Sequence, residues 1–326
     1  MKPFNFTRAT DQNNAIQVLQ SDGKFIAGGT NIVDLMKEGI EQPSQLVDIQ
    51  RLPLSTIQTN KLGGVSLGAL AKNSDTANHP LIRSKYPLLT QAILAGASPQ
   101  IRNMATNGGN LLQRTRCAYF YDVAMPCNKR EAGSGCGAFD GINKNHAILG
   151  WSENCVATFP SDMCVALAAL NAKVRVLGKN GKERTVDFVN FHRLPETDAT
   201  KDNNLEKGDL ILSIELPKTG LPTKSHYLKV RNRASYAFAL VSVAVIFEWK
   251  GNVIMNPRIA LGGVAHKPWR AIEAEKFLAG KVAGEDAFKQ AAELALKDAK
   301  PLKDNAYKIT LAKRAIVRAL KIANGK

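Results

Sequence analysis

The sequence predicts an α+β chain in two parts, a larger unit over 1–220 and a smaller one over 221–326. Three observations predict this. Short apolar runs of strand length alternate with helical stripes from residue 11 onward. The run 218–224, Lys-Thr-Gly-Leu-Pro-Thr-Lys, has the composition of a linker. A chain of 326 residues with 44% apolar against 22% charged side chains can bury about two cores.

That balance excludes disorder and coiled coil. No run approaches the roughly 18 uncharged apolar residues of a membrane span. The opening Met1-Lys2-Pro3-Phe4-Asn5-Phe6 lacks the apolar stretch of a secretory signal, so the chain is expected to carry no export signal of its own. Lys plus Arg exceed Asp plus Glu by 16, which suits nucleic acid, an acidic partner or an anionic cofactor. The cations are dispersed and aromatics are only 6%, too few for base-stacking platforms, which argues against nucleic acid.

A helix is expected over 11–20, where Ala15, Ile16, Val18 and Leu19 form a stripe after a Thr10/Asp11 cap. Lys24, Phe25, Ile26 and Ala27 read as a strand. It ends on Gly28, Gly29, Thr30 and Asn31, after which Ile32, Val33, Leu35 and Met36 start a helix that Gly39 ends. Strand 45–49 and a hairpin of 54–58 against 65–70 follow, then helices at 74–77 and 86–95. From about 112 to 150 the chain loses its hydrophobic period and fills with Gly, Asn, Lys, Arg and Cys, and a loop of that length is usually functional. Pro160, Ser161 and Asp162 cap an apolar helix over 163–170. Strands at 173–177, 183–186 and 210–216 complete the first unit. The second has strands at 225–230, 240–249 and 253–261, then helices at 268–279, 285–296 and 305–323.

The first glycine turn lets backbone approach a phosphate while the following helix offers unpaired N–H groups and a positive dipole end. A plain tight turn is the alternative. A second glycine pair, Thr106-Asn107-Gly108-Gly109-Asn110, follows Gln100-Ile101-Arg102-Asn103, and two such loops suit the two ends of a dinucleotide. Cys117, Cys127, Cys136 and Cys155 are separated by nine, eight and eighteen residues, with no C-x-x-C pair. In a reducing compartment such grouping points to metal or redox work. Arg114, Arg116, Lys129 and Arg130 nearby favour thiolates, and Gly133, Gly135 and Gly137 free backbone donors to face sulfur. Four thiolates fit zinc or an iron–sulfur centre. Cys164 reads as a core residue. His146, alone in the loop, is a ligand, a cofactor neighbour or a surface residue, and Tyr119-Phe120-Tyr121 either covers a flat ring or anchors the loop. No nucleophile–base triad is visible.

Phe25 to Asn31, Gln100 to Asn103 with Ala105 to Asn110, Pro160-Ser161-Asp162, and Ile259-Ala260-Leu261-Gly262-Gly263-Val264 together resemble the FAD-binding medium subunits of molybdenum hydroxylases, the xanthine dehydrogenase and aldehyde oxidoreductase family. The resemblance runs over nearly the whole chain in the same order. It implies a two-part FAD-binding domain of the vanillyl-alcohol-oxidase type over 1–220 and a smaller α+β domain of three strands and helices. It implies FAD diphosphate contacts along Lys24 to Ile32 and at Thr106, Gly108, Gly109 and Asn110, with further contacts from Asp162, Ile211 and Lys229.

The inserted loop, about 112–156, is similar to the branch of three-subunit bacterial periplasmic aldehyde oxidoreductases that carry a [4Fe–4S] cluster. The matching ligands are Cys117, Cys127, Cys136 and Cys155, and Tyr121 and His146 are expected as neighbours of the flavin ring. The resemblance further implies a large subunit with a molybdopterin centre, a small subunit with two [2Fe–2S] clusters, an external electron acceptor, and export of the folded complex on a partner's twin-arginine signal. No catalytic acid, base or nucleophile is expected on this chain.

Overall fold

The computed structural model describes residues 1–218 and 223–325. The linker expected at 218–224, and the boundary between 220 and 221, fall mostly outside them.

Near the N-terminus β1 (Asn5–Arg8), β2 (Lys24–Ile26) and β3 (Gln45–Asp48) form a parallel sheet in the order β1-β3-β2. The helix Gln12–Val18 joins the first two, and Asp11 caps it by accepting from the Asn14 N–H. A second sheet holds β4 (Ile57–Thr59), β5 (Val65–Gly68), β6 (Lys173–Leu177), β7 (Glu183–Asp187) and β8 (Leu210–Leu216). Its order is β4-β5-β8-β6-β7, antiparallel throughout. The long insertion between β5 and β6 carries the helices and the cysteine loop.

The helix expected over 86–95 runs Pro87–Ala95, and a further one, Pro80–Lys85, precedes it; the two stay separate because Pro87 lacks the N–H a continuing helix needs and instead occupies a first-turn position. The helix Asp162–Ala169 is buried over its whole length, and Ser161 caps it by accepting from the Cys164 N–H. Cys164 is a core residue, as expected.

The C-terminal sheet has four strands: β9 (Thr223–Val230), β10 (Val241–Lys250), β11 (Val253–Gly262) and β12 (Trp269–Arg270), in the order β12-β11-β10-β9. The fourth corrects the expected three. Trp269 and Arg270 pair with Leu261 and Ala260, so the expected helix at 268–279 shortens to Ile272–Leu278. Helices Glu285–Ala295 and Tyr307–Ala323 cover one face. Strand β10 is buried on both faces: Val241, Val243, Val245 and Phe247 enter the C-terminal core, while Ala244 and Ile246 join the main core with the helix 162–169. No helix among the described residues is long and apolar enough to cross a membrane.

Candidate functional site

Two cavities meet where the parallel sheet, the cysteine loop and the C-terminal sheet converge. The first, about 510 Å3, is lined by Thr30, Asn31, Gly109, Asn110, Asp162 and Lys229 among others. The second, about 450 Å3, opens beside Cys117, Tyr119 and His146. They share Arg116, Pro160, Ser161, Asp162, Ala237 and Phe238.

The first glycine turn leaves β2 and enters the helix Ile32–Lys37. A Cβ at Gly28 would lie 1.9 Å from the Met104 carbonyl oxygen, and Gly29 takes φ 71°, so both positions require glycine. The turn's backbone N–H groups, from Gly28 to Asn31, donate to no protein acceptor among the described hydrogen bonds. Gly28, Gly29 and Thr30 also line a shallow recess with Lys37. Asn31 accepts from the Arg114 N–H at 3.0 Å through Oδ1, while its Nδ2 is buried without a partner. Lys24 lies outside the cavities, paired with Glu41 at 2.7 Å. Phe25 and Ala27 pack against the N-terminal core.

The second glycine pair is not a loop. It is the helix Asn107–Leu111, capped by Thr106, whose Oγ1 accepts from the Gly109 N–H at 3.2 Å. Asn107 and Gly108 donate their N–H groups to Ala71 and Ala69 carbonyls, so these glycines serve close packing as well as any ligand. Gly109 and Asn110 face the first cavity. Ser161 donates to Asn110 Oδ1, joining this helix to the cap of the next.

Asp162 carries the junction between the two units. Its Oδ1 accepts from the Tyr227 hydroxyl at 2.6 Å and its Oδ2 from Lys229 Nζ at 2.8 Å, both reaching over from β9. Burial and the Asp162 charge push the Tyr227 phenol well up, so it stays a donor. Ile211 is buried in the main core and faces neither cavity. The first cavity gathers Arg102, Arg116, Lys229 and Arg233 against Asp34 and Asp162, an excess of cations that suits a diphosphate.

The four cysteines come together through shared contacts. Cys127 and Cys136 are bridged through their backbones. The Cys155 thiol nearby draws Cys136 down to about 6, while Cys136 and burial push Cys155 up. Cys117 packs against both the Cys127 and the Cys155 clusters, and burial raises it to about 11. No group of three or more His, Cys, Asp or Glu among the described residues is spaced to hold a single metal ion.

His146 lines the second cavity, with Nε2 3.1 Å from Cys117 Sγ and Nδ1 unpartnered. Burial and nearby Lys308 hold it at about 4, hence neutral. Tyr121 faces neither cavity: its hydroxyl bonds Arg116 and Asp34 instead. Sequence reasoning missed Arg116 and Phe238 as cavity residues. Arg116 was legible only as a cation beside Cys117, and Phe238 lies between strands where periodicity is silent.

Orphaned polar atoms Asn31 Nδ2, Arg116 Nε and His146 Nδ1 all belong to residues that line these cavities, so the residues present fit a polar cofactor.

Residues 2–219 match the FAD binding domain in molybdopterin dehydrogenase, and residues 226–323 the CO dehydrogenase flavoprotein C-terminal domain. The chain is 46% identical over 323 residues to the aldehyde oxidoreductase FAD-binding subunit of Escherichia coli, covering 98% of each. It is 31% identical to the glyceraldehyde dehydrogenase medium chain of Sulfolobus acidocaldarius, over 89% of this chain and 85% of that one. Among solved structures, carbon monoxide dehydrogenase from Hydrogenophaga pseudoflava superposes with a TM-score of 0.78 at 26% identity, covering 99% of this chain and 98% of that one. With both halves of the chain matched in order, and Thr30, Asn31, Gly109 and Asn110 facing one cavity, this protein belongs to the FAD-binding medium subunits of the molybdenum hydroxylases, a family of oxidoreductases.

Proposed function

We propose that this chain is the FAD- and [4Fe–4S]-containing electron-transfer subunit of a heterotrimeric, molybdenum-dependent aldehyde oxidoreductase. In that complex a large subunit oxidises the aldehyde at a molybdopterin centre and a small subunit relays electrons through two [2Fe–2S] clusters. This chain passes them from FAD to an external acceptor. The aldehyde assignment leans on the 46% identity to the Escherichia coli subunit. The observation that carries the reading is the shared wall: Arg116 lines both cavities, and the next residue, Cys117, lines the second.

FAD, when bound, supplies the step between paired and single electrons. The chain's residues bind and orient it. The free N–H groups of Gly28 to Asn31, with Gly109 and Asn110, would hold the diphosphate. Asp162 and Lys229 fix the wall where the two units meet. For the cluster, Cys117, Cys127, Cys136 and Cys155 would each take one iron. What supports the set is proximity: Cys127 and Cys136 are bridged through their backbones, and Cys117 packs against both the Cys127 and the Cys155 clusters. His146, neutral at physiological pH, would keep its Nε2 toward the Cys117 sulfur, a lever on cluster potential. The folded complex would reach the periplasm on a partner's twin-arginine signal.

The test is the visible spectrum of anaerobically purified protein, with flavin, iron and sulfide counted per chain. About one FAD, four iron and four sulfide are expected. FAD with zinc and no iron would replace the cluster by a structural zinc site. Folded protein without flavin would end the reading. Cys127→Ser should lose the iron, and wild-type iron content in that variant would remove the ligand assignment.

A further inference from the structure

The inserted loop puts Arg116 at the wall that the two cavities share. Its guanidinium is anchored on one side, where Nη1 donates to Asp34 Oδ2 at 3.1 Å and to the Tyr121 hydroxyl. Its flat face lies 5.4 Å from the centre of the Phe238 ring and 5.8 Å from that of Tyr121. Two groups remain: Nε, which is buried without an acceptor, and Nη2, which is not buried and makes no hydrogen bond to protein among the described residues. Nε is closed off even with the cavities empty, so Nη2, on a residue that lines both of them, is the donor left open to an acceptor from outside the chain.

Phe238 belongs to the segment 231–240, which runs from β9 to β10. That segment is preformed: Arg233 donates to the Ser235 and Tyr236 carbonyls, and Tyr236 sits at φ 51°. Yet Phe238 and Tyr236 are both exposed. The Phe238 ring reaches the inserted loop by lying against Arg116.

We infer that Arg116 is a positioning residue for the flavin, its Nη2 donating to an acceptor on the cofactor at the cavity junction and its face pinning Phe238 over the bound ring. The inference rests on the FAD reading above. A fixed cation beside the ring stabilises the negative charge that reduction adds, and the pinned segment keeps water out. A planar guanidinium can bond Asp34 and Tyr121, stack on Phe238 and still offer a free N–H, which an ammonium cannot.

The test uses the assembled enzyme with its partner subunits and three variants, R116M, R116K and F238A. Flavin release is followed by fluorescence and the flavin midpoint potential by anaerobic titration. R116M should release FAD about tenfold faster, the loss of one hydrogen bond from a charged donor, and its flavin should become harder to reduce. R116K, which keeps the charge, should release FAD faster while its potential stays near the wild-type value. F238A should speed release and leave the potential unmoved.

R116M with wild-type release and potential overturns the inference, as does R116M that moves the potential no further than F238A, the result of a purely structural arginine. If R116M does not fold, R116K decides: wild-type release overturns the assignment. Wild-type enzyme without FAD would instead defeat the FAD reading itself.

Discussion

Lys308 is fully buried with no carboxylate partner, and its Nζ donates to the carbonyls of Asn145, His146 and Gly263. Three acceptors match the three donors of an ammonium. The side chain thus fastens the C-terminal helix Tyr307–Ala323 to the cysteine loop and to the turn after β11. Burial pulls its pKa from 10.5 down to about 7. In the unfolded chain this lysine keeps its proton until near 10.5, so between about 7 and 10.5 the unfolded state binds more protons, and this group's contribution to stability rises with pH. Lys308→Met should remove that rise and leave three carbonyls without a donor, at a cost of about 1–3 kcal/mol at neutral pH. Urea midpoints at pH 7 and pH 9 check this, and equal pH slopes in the two proteins would refute it. None of this was legible beforehand, since one lysine in a basic helix looks like any other until the fold sets three carbonyls around it.

At the scale of elements, the cysteine loop is tied to the first glycine turn by a chain of charges. Lys24 pairs with Glu41, Arg114 with both Glu41 and Asp202, and Asp202 with the nearly buried Lys129, each at 2.6 to 2.7 Å. Burial alone would raise Glu41 and Asp202, but the cations outweigh it and hold both carboxyls below their ordinary values. Arg114→Met interrupts the chain at its centre and leaves Glu41 with Lys24 alone and Asp202 with Lys129 alone, which costs about 1–3 kcal/mol. The expected sign is faster trypsin cleavage at Lys129 or Arg130 with the rest of the protein intact; unchanged cleavage would show that the loop is held by other contacts.

The first glycine turn was legible because Gly29, with its left-handed φ, answers to local geometry, although what demands glycine at 28 is the distant Met104 carbonyl. The second pair was read as a loop because what makes it a helix is long-range: Asn107 bonds Gly68, Asn73 and Thr76 across 31 to 39 residues of sequence. Strand β12 escaped for a similar reason. Two residues carry no period, and only pairing with β11 defines them.

For the molecule as a whole, the two expected units share more than a linker. Tyr227, Ala244, Ile246 and Ala260 from the C-terminal sheet are part of the main core, and Ile148 and Leu149 from the cysteine loop are part of the C-terminal one. Cores that exchange residues in this way should unfold together. Calorimetry is expected to show one cooperative transition for the chain, whereas two separated transitions would mean that the shared strand β10 does not couple the units.

The crossing of Lys229 and Tyr227 from β9 to Asp162 also fixes an order of events during biosynthesis. A nascent chain can complete both glycine turns after roughly a third of its length has been made, but the opposite wall of the seat waits on β9 and β10. Flavin insertion therefore belongs to the end of synthesis, after most of the C-terminal sheet has left the ribosome.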